Sequence, residues 1–245
     1  RPPAGRSREF WQFGAELYGS SGAEADATII LLANSVFKRL GLRNIELKIN
    51  SIGCPECRPV FRAALRKHFE SRKKELCDTC LGRLETNPLR ILDCKSPACH
   101  NIAKEAPATM DFLCGDCRAH FDKLKGYLDR CGIVYETDTS IVRGLDYYSK
   151  TVFEFVNDSI GAQSTVCGGG RYDGLIEELG GQHLPGVGFG MGLTRLLQSL
   201  KDENLLPETG TLTDIYIAPL GEVARDAALV LADGLRERGI ATEMD

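Results

Sequence analysis

TVFEFVND (residues 151–158), GAQSTVCGGGRYDGL (161–175) and GVGFGMGLTRLLQSL (186–200) carry the reading of the fold. The first is a β-branched and aromatic run stopped by Asn157-Asp158, a strand signal. In the second, Gly168, Gly169 and Gly170 end a strand and a helix follows. In the third a strand runs into a helix, and Gly186, Gly188, Gly190 and Gly192 thin the side chains at the join.

Working outward, RSREFWQFGAELY (6–18) alternates in character and predicts a strand leading out of a turn marked by Pro2, Pro3 and Gly5. In the next segment Ile29, Leu32, Val36 and Leu40 fall on one helical face, and Gly41 closes the helix. IELKINSI (45–52) places Ile45, Leu47 and Ile49 on one face and Glu46, Lys48 and Asn50 on the other, a half-buried strand. From Cys54 to about Thr137 helical, charge-rich stretches bracket a cysteine-bearing middle, read as an inserted helical subdomain. Beyond Thr213 a strand, a helix and the start of another strand resemble the opening βαβ unit of a further α/β domain. Periodicity alone thus reaches a mixed α and β fold with a helical insertion.

The chain has 245 residues, 43% hydrophobic and 26% charged, with net charge −4; a strongly basic balance advertising nucleic acid is absent. Any nucleic-acid contact must therefore come from local patches or from other parts of the protein. No apolar run reaches bilayer length and RPPAGRSREF has no signal-peptide core, so no membrane association and a cytoplasmic location are expected.

Eight of the ten cysteines fall in pairs: Cys54 with Cys57, Cys77 with Cys80, Cys94 with Cys99, and Cys114 with Cys117. A C-x₂-C knuckle closes tightly on a tetrahedral ion, and two knuckles complete a structural zinc site. Spacing leaves open which pairs combine and whether one ion or two are held. Four sulfur ligands leave no open position, so a structural role is expected. Packing accounts for the lone Cys131 and Cys167. Of the histidines, His100 is a candidate replacement ligand beside Cys99, with a surface position the better reading.

Arg143, Arg171 and Arg195 stand in glycine-rich or strand-end contexts beside paired tyrosines. Singly each reads as a structural ion pair; together they suggest an anionic ligand lying close to backbone, since guanidinium matches phosphate and carboxylate.

RGLDYYSKTVFEF (143–155) and CGGGRYDGL (167–175) resemble the two signature motifs of histidyl-tRNA synthetases. SREFWQFGAE (7–16) is similar to the later part of class II motif 2, and GVGFGMGLTRLL (186–197) resembles motif 3. The order is the family's, and the resemblance covers essentially the whole chain. It implies an α+β fold: an antiparallel sheet flanked by helices, the class II catalytic core, with the cysteine-rich insertion and the start of a C-terminal anticodon-binding domain. The expected division is 1–53 and 138–205 for the core, 54–137 for the insertion and 213–245 for the C-terminal start. Motif 1, the leading arginine of motif 2 and most of the last domain are missing, so the sequence is expected to be a fragment. Thr194 replaces the acidic residue usual before the motif 3 arginine.

By resemblance, Gln12 and Glu16 contact the amino group and ring of a histidine substrate. Tyr148 and Tyr172 line its pocket, Tyr147 packs beside them, and Gly168, Gly169 and Gly170 form the floor. Arg143 lies by the α-phosphate and the substrate carboxylate; Arg195 grips the triphosphate, and Arg8 belongs to the same ATP-binding set. The implied activity is histidine–tRNA ligation with ATP and magnesium, the implied partners tRNA(His) and a second copy in a homodimer. The alternative is a non-catalytic, histidine-sensing regulatory subunit of ATP phosphoribosyltransferase.

Overall fold

The computed structural model describes residues 9–92, 94, 96–141, 147–160, 164–207, 210 and 212–245. They form two compact units, residues 1–205 and 206–245.

The first unit is built on strands β1 (Gln12–Tyr18), β2 (Glu46–Ser51), β3 (Glu136–Thr137), β4 (Ser149–Val156), β5 (Thr165–Arg171) and β6 (Gly186–Gly192). They form one sheet in the order β1-β6-β5-β4-β2-β3, antiparallel except for the β2/β3 pair at one edge. The helices are α1 (Ala23–Arg39), α2 (Cys57–Ser71), α3 (Asp78–Thr86), α4 (Pro97–Lys104), α5 (Gly115–Arg130), α6 (Leu175–Glu178) and α7 (Leu193–Asp202). The antiparallel sheet with flanking helices agrees with the expected fold class.

Strand alternation gives the sheet two unlike faces. Val187, Phe189 and Met191 of β6 join Phe153, Phe155, Leu47 and Ile49 in a core closed by α1 and α5. The intervening β6 residues are the four glycines, in register with Gly168 and Gly170 of β5 and with Gln12, Gly14 and Glu16 of β1. The opposite face is therefore paved with backbone. The three glycines of β5 lie inside the strand rather than ending it, and Arg171 is its last residue.

Helix α1 packs through Ala23, Ala27, Ile29, Ile30, Ala33 and Phe37, and Phe37 meets Phe155 with ring centroids 5.1 Å apart. Ile29 was expected there, but Leu32 is 46% and Leu40 37% exposed. The stripe is rotated because small alanines let the helix approach the sheet along a neighbouring row. Gly41, at φ +78°, ends the helix as expected. In β2, Leu47 and Ile49 are buried as predicted, but so is Asn50, whose amide donates to the carbonyls of Thr139 and Ile141. Buried polarity is tolerated when it is hydrogen-bonded.

The insertion leaves the sheet after β2 and returns through α5. Its middle has its own core of Phe61, Leu65, Phe69, Leu84, Ile91 and Ile102. The second unit is a βαβ element, with β7 (Ile215–Ile217) and β8 (Thr242–Met244) parallel and α8 (Glu222–Glu237) between them, as the sequence predicted. Among the described residues no helix is long and apolar enough to cross a membrane.

Candidate functional site

The glycine face places a tyrosine cluster beside a carboxylate. Tyr172, immediately after β5, packs its ring on Gly186, where an added Cβ would lie 2.4 Å from a ring carbon. Tyr148 packs likewise on Gly170, where the corresponding distance is 2.8 Å. Glycine is required here for close approach rather than for turning. Tyr148 lies 6.5 Å and Tyr147 5.9 Å from Tyr172, centroid to centroid, and Tyr18 joins from β1 at 6.3 Å. Both members of the Tyr147-Tyr148 pair reach the cluster because they precede β4, where alternation does not apply.

Tyr172 donates its hydroxyl proton to Glu16 Oε2. Burial, followed by the Glu16 carboxylate, pushes the Tyr172 pKa well up, so the phenol stays protonated. Glu16 lies over Gly188, and Gln12, two β-repeats away on the same face, lies 3.7 Å from the Cβ position of Gly190. The two side chains share a face as expected. The arrangement presents an acceptor carboxylate, an aromatic wall and a backbone floor, suited to a small cationic or N–H-bearing ligand. Tyr18 was missed because its neighbourhood depends on the β1–β6 pairing.

Arg195, in the first turn of α7, donates Nη1–H to the carbonyl of Thr165 at 2.5 Å and is half-buried. Arg8 and Arg143 lie outside the described residues. Arg171 points the other way from Tyr172, into the helical layer, and is fully buried. Its five N–H groups meet Asp26, Asp173 and the carbonyls of Ser20 and Gly22. A guanidinium has five donors, so Arg171 is a structural ion pair and offers nothing to an anionic ligand.

The cysteine pairs combine into two quartets. Cys54, Cys57, Cys114 and Cys117 meet at the root of the insertion; Cys77, Cys80, Cys94 and Cys99 meet inside it. The first two pairs along the chain do not join each other. Within each quartet the sulfurs lie within 4.8 Å of one another, at 3.6 Å for Cys54–Cys57 and 3.9 Å for Cys54–Cys114 and Cys77–Cys94. Four sulfurs about 2.3 Å from a common centre have tetrahedral edges of about 3.8 Å. Backbone amides of Cys114 and Cys77 donate to Cys57 Sγ and Cys99 Sγ at 3.1 and 3.3 Å. Burial raises Cys54, but backbone amides of Cys57 and Glu56 bring its pKa down to about 7. The amide of Cys80 does the same for Cys77, also to about 7. Burial pushes Cys57, Cys80, Cys99 and Cys117 up.

Gly53, at φ +70°, turns the chain from β2 into the root quartet; an added Cβ would lie 2.5 Å from Cys57 Cβ. His100 is exposed and outside both quartets. Cys167 is buried in the sheet core as expected, but Cys131 is exposed just past the end of α5, so packing does not account for it.

The family model described as histidyl-tRNA synthetase matches residues 1–196. A histidine–tRNA ligase of Caldanaerobacter subterraneus subsp. tengcongensis is 51% identical over 245 residues, covering 100% of this chain and 59% of the relative. The crystal structure of apo S. aureus histidyl-tRNA synthetase superposes with TM-score 0.68 at 36% identity, over 97% of this chain and 59% of that one. A Bacillus halodurans ATP phosphoribosyltransferase regulatory subunit/histidyl-tRNA synthetase shares the fold, with TM-score 0.54 at 22% identity over 96% of this chain and 62% of that one. The chain thus spans about three fifths of the curated relative's length, at 59%. With the family's model matched across the whole sheet and an identity of 51% across every residue, this chain belongs to the histidyl-tRNA synthetase family.

Proposed function

We propose that the full-length protein is a histidine–tRNA ligase, which activates histidine with ATP and transfers it to tRNA(His). The observation that carries this reading is the Tyr172–Glu16 pair set over the glycine-paved face, within the family's fold. Glu16 and Gln12 receive the amino group and ring N–H of histidine; Tyr147, Tyr148 and Tyr172 enclose the ring. Gly168, Gly169 and Gly170 form the backbone beneath it. A pocket that hydrogen-bonds its substrate rejects analogues lacking those groups by roughly 10⁴-fold or more.

In the first step the histidine carboxylate attacks the α-phosphorus of ATP and pyrophosphate leaves. In the second, the terminal ribose hydroxyl of tRNA attacks the acyl carbon and AMP leaves. The phosphoryl step needs positioning and charge neutralisation rather than covalent help. Arg143 serves the α-phosphate and carboxylate, and Arg195 and Arg8 the triphosphate. Magnesium bound with ATP supplies further neutralisation of the phosphates.

Each cysteine quartet fits a structural zinc ion, by its donor set and its tetrahedral edges. Bound there, the metal supplies folding energy and no chemistry. Residues 1–53 and 138–205 are assigned to the catalytic core, 54–137 to the insertion and 213–245 to the start of an anticodon-binding domain. The protein is read as a cytoplasmic homodimer. The test is ATP–pyrophosphate exchange with each standard amino acid. Exchange with histidine alone supports the ligase; histidine binding without exchange supports a regulatory, histidine-sensing subunit instead.

A further inference from the structure

Arg171 and Tyr172 are adjacent, yet their side chains leave the sheet on opposite faces. Tyr172 meets Glu16 above; Arg171 meets Asp26 below, through Nε at 2.8 Å and through Nη2. Both Arg171 and Asp26 are completely buried. Asp26 sits in the first turn of α1, and its other oxygen accepts from His120 Nε2 at 2.7 Å. His120 lies on α5, three residues beyond Cys117 of the root quartet. Burial alone would raise the Asp26 pKa, but hydrogen bonds from His120 and Arg171 overcome it and hold the carboxyl below its usual range. An ionised carboxylate only accepts, which fixes the Nε2–H tautomer of His120.

We infer that His120 is a positioning residue that ties the root cysteine quartet to the amino-acid pocket, through Asp26 and Arg171 to Tyr172. The quartet fixes the first turn of α5, and α5 carries His120 to Asp26. Asp26 in turn fixes the guanidinium that anchors the backbone just before Tyr172. A buried network of this kind keeps one geometry only while each member is satisfied. Without His120, Asp26 Oδ2 loses its donor on α5 in a low-dielectric interior, and the carboxylate turns toward its remaining donors, Arg171 and the Thr151 hydroxyl. Arg171 then turns with it and Tyr172 moves off Glu16. A misplacement of about 1 Å in a positioning contact costs roughly 10²-fold. This linkage rests on the ligase reading only in naming histidine as the ligand.

The experiment compares the full-length wild type with His120→Ala and His120→Gln, whose amide can still donate to Asp26. Calorimetric histidine affinity, exchange KM for histidine and for ATP, and thermal midpoint are read for each. The expected result for His120→Ala is histidine affinity weakened about tenfold or more, with ATP KM unchanged. His120→Gln restores most of it. Stripping metal from the wild type weakens histidine affinity as well, and does little further in His120→Ala, because two perturbations of one linkage are not additive. A His120→Ala protein that is less stable but binds histidine normally overturns the inference. So does a fully additive effect of metal removal, or a glutamine variant no better than alanine. A wild type that binds histidine without exchange sinks the ligase reading, and the calorimetric comparison still decides the role of His120.

Discussion

Gly188→Ala puts a single methyl group against the carboxylate at the centre of the pocket. The added Cβ would lie 1.6 Å from Glu16 Oε2 and 2.2 Å from its Cδ, against ordinary contact at 3.4 Å or beyond. Glu16 must therefore retreat by about 1.8 Å, which separates it from the Tyr172 hydroxyl and shifts every contact it makes to a ligand. Loss of a hydrogen bond to a charged group costs about 1.5–3 kcal/mol, or roughly 10- to 150-fold in kcat/KM for histidine. The carbonyl of Ala15, 2.7 Å from the new Cβ, must also yield, for an overpacking cost of about 1–3 kcal/mol in stability. Gly190→Ala is the matched control, since its Cβ would sit 3.7 Å from Gln12 Oε1, in ordinary contact. Pyrophosphate exchange at varied histidine, alongside thermal melts, compares the two. The expected outcome is a large loss for Gly188→Ala confined to the histidine term and a small one for Gly190→Ala. Equal effects, or a Gly188→Ala enzyme with normal histidine KM, would refute the placement of Glu16.

Other outcomes follow from the same contacts. Tyr172→Phe removes the donor to Glu16 and should raise histidine KM about tenfold or more while leaving ATP KM unchanged, as read by exchange kinetics. Asp26→Asn removes the fully buried one of the two carboxylates paired with Arg171, leaving Asp173, and should destabilise the first unit by up to about 3–5 kcal/mol in urea unfolding. Because the folded-state pKa of Asp26 is lowered, its stability contribution is complete above the unfolded value of about 3.9 and is lost as pH falls through the lower folded value. Urea melts from pH 5 downward should therefore show a flatter acid limb in Asp26→Asn, and parallel limbs would contradict the ion pair. Metal analysis of the purified protein should find two zinc ions per chain; chelation should lower the melting temperature, and Cys54→Ser and Cys80→Ser should each remove one ion. A protein that holds one ion in all, and loses it in both variants, would contradict two separate quartets.

Strand period and motif order made the sheet legible, because alternation in β6 sorts its glycines from Val187, Phe189 and Met191 without tertiary knowledge. The buried stripe of α1 was less legible, since which of several hydrophobic rows faces the sheet depends on how closely Ala23, Ala27 and Ala33 let the helix approach. Gln12, Glu16, Tyr148 and Tyr172 were readable from motifs, whereas Tyr18 enters only through strand pairing. Arg171 looked like its neighbours in the motif, and its direction became clear only when alternation set it below the sheet. The cysteine pairing was illegible for a related reason: Cys54 and Cys114 meet because β2 and α5 bracket the insertion, a long-range fact that C-x₂-C spacing does not encode. His120 and Asp26 lie 94 positions apart and carry no local pattern at all.

The most direct test of the central claim is pyrophosphate exchange by the full-length protein and its Glu16→Gln variant, side by side, with histidine and the other standard amino acids. The predicted result is exchange by the wild type with histidine alone, and a loss of roughly 10²-fold in kcat/KM for histidine in the variant at unchanged ATP KM. Exchange that survives Glu16→Gln undiminished, or a wild type that binds histidine and exchanges nothing, would contradict it.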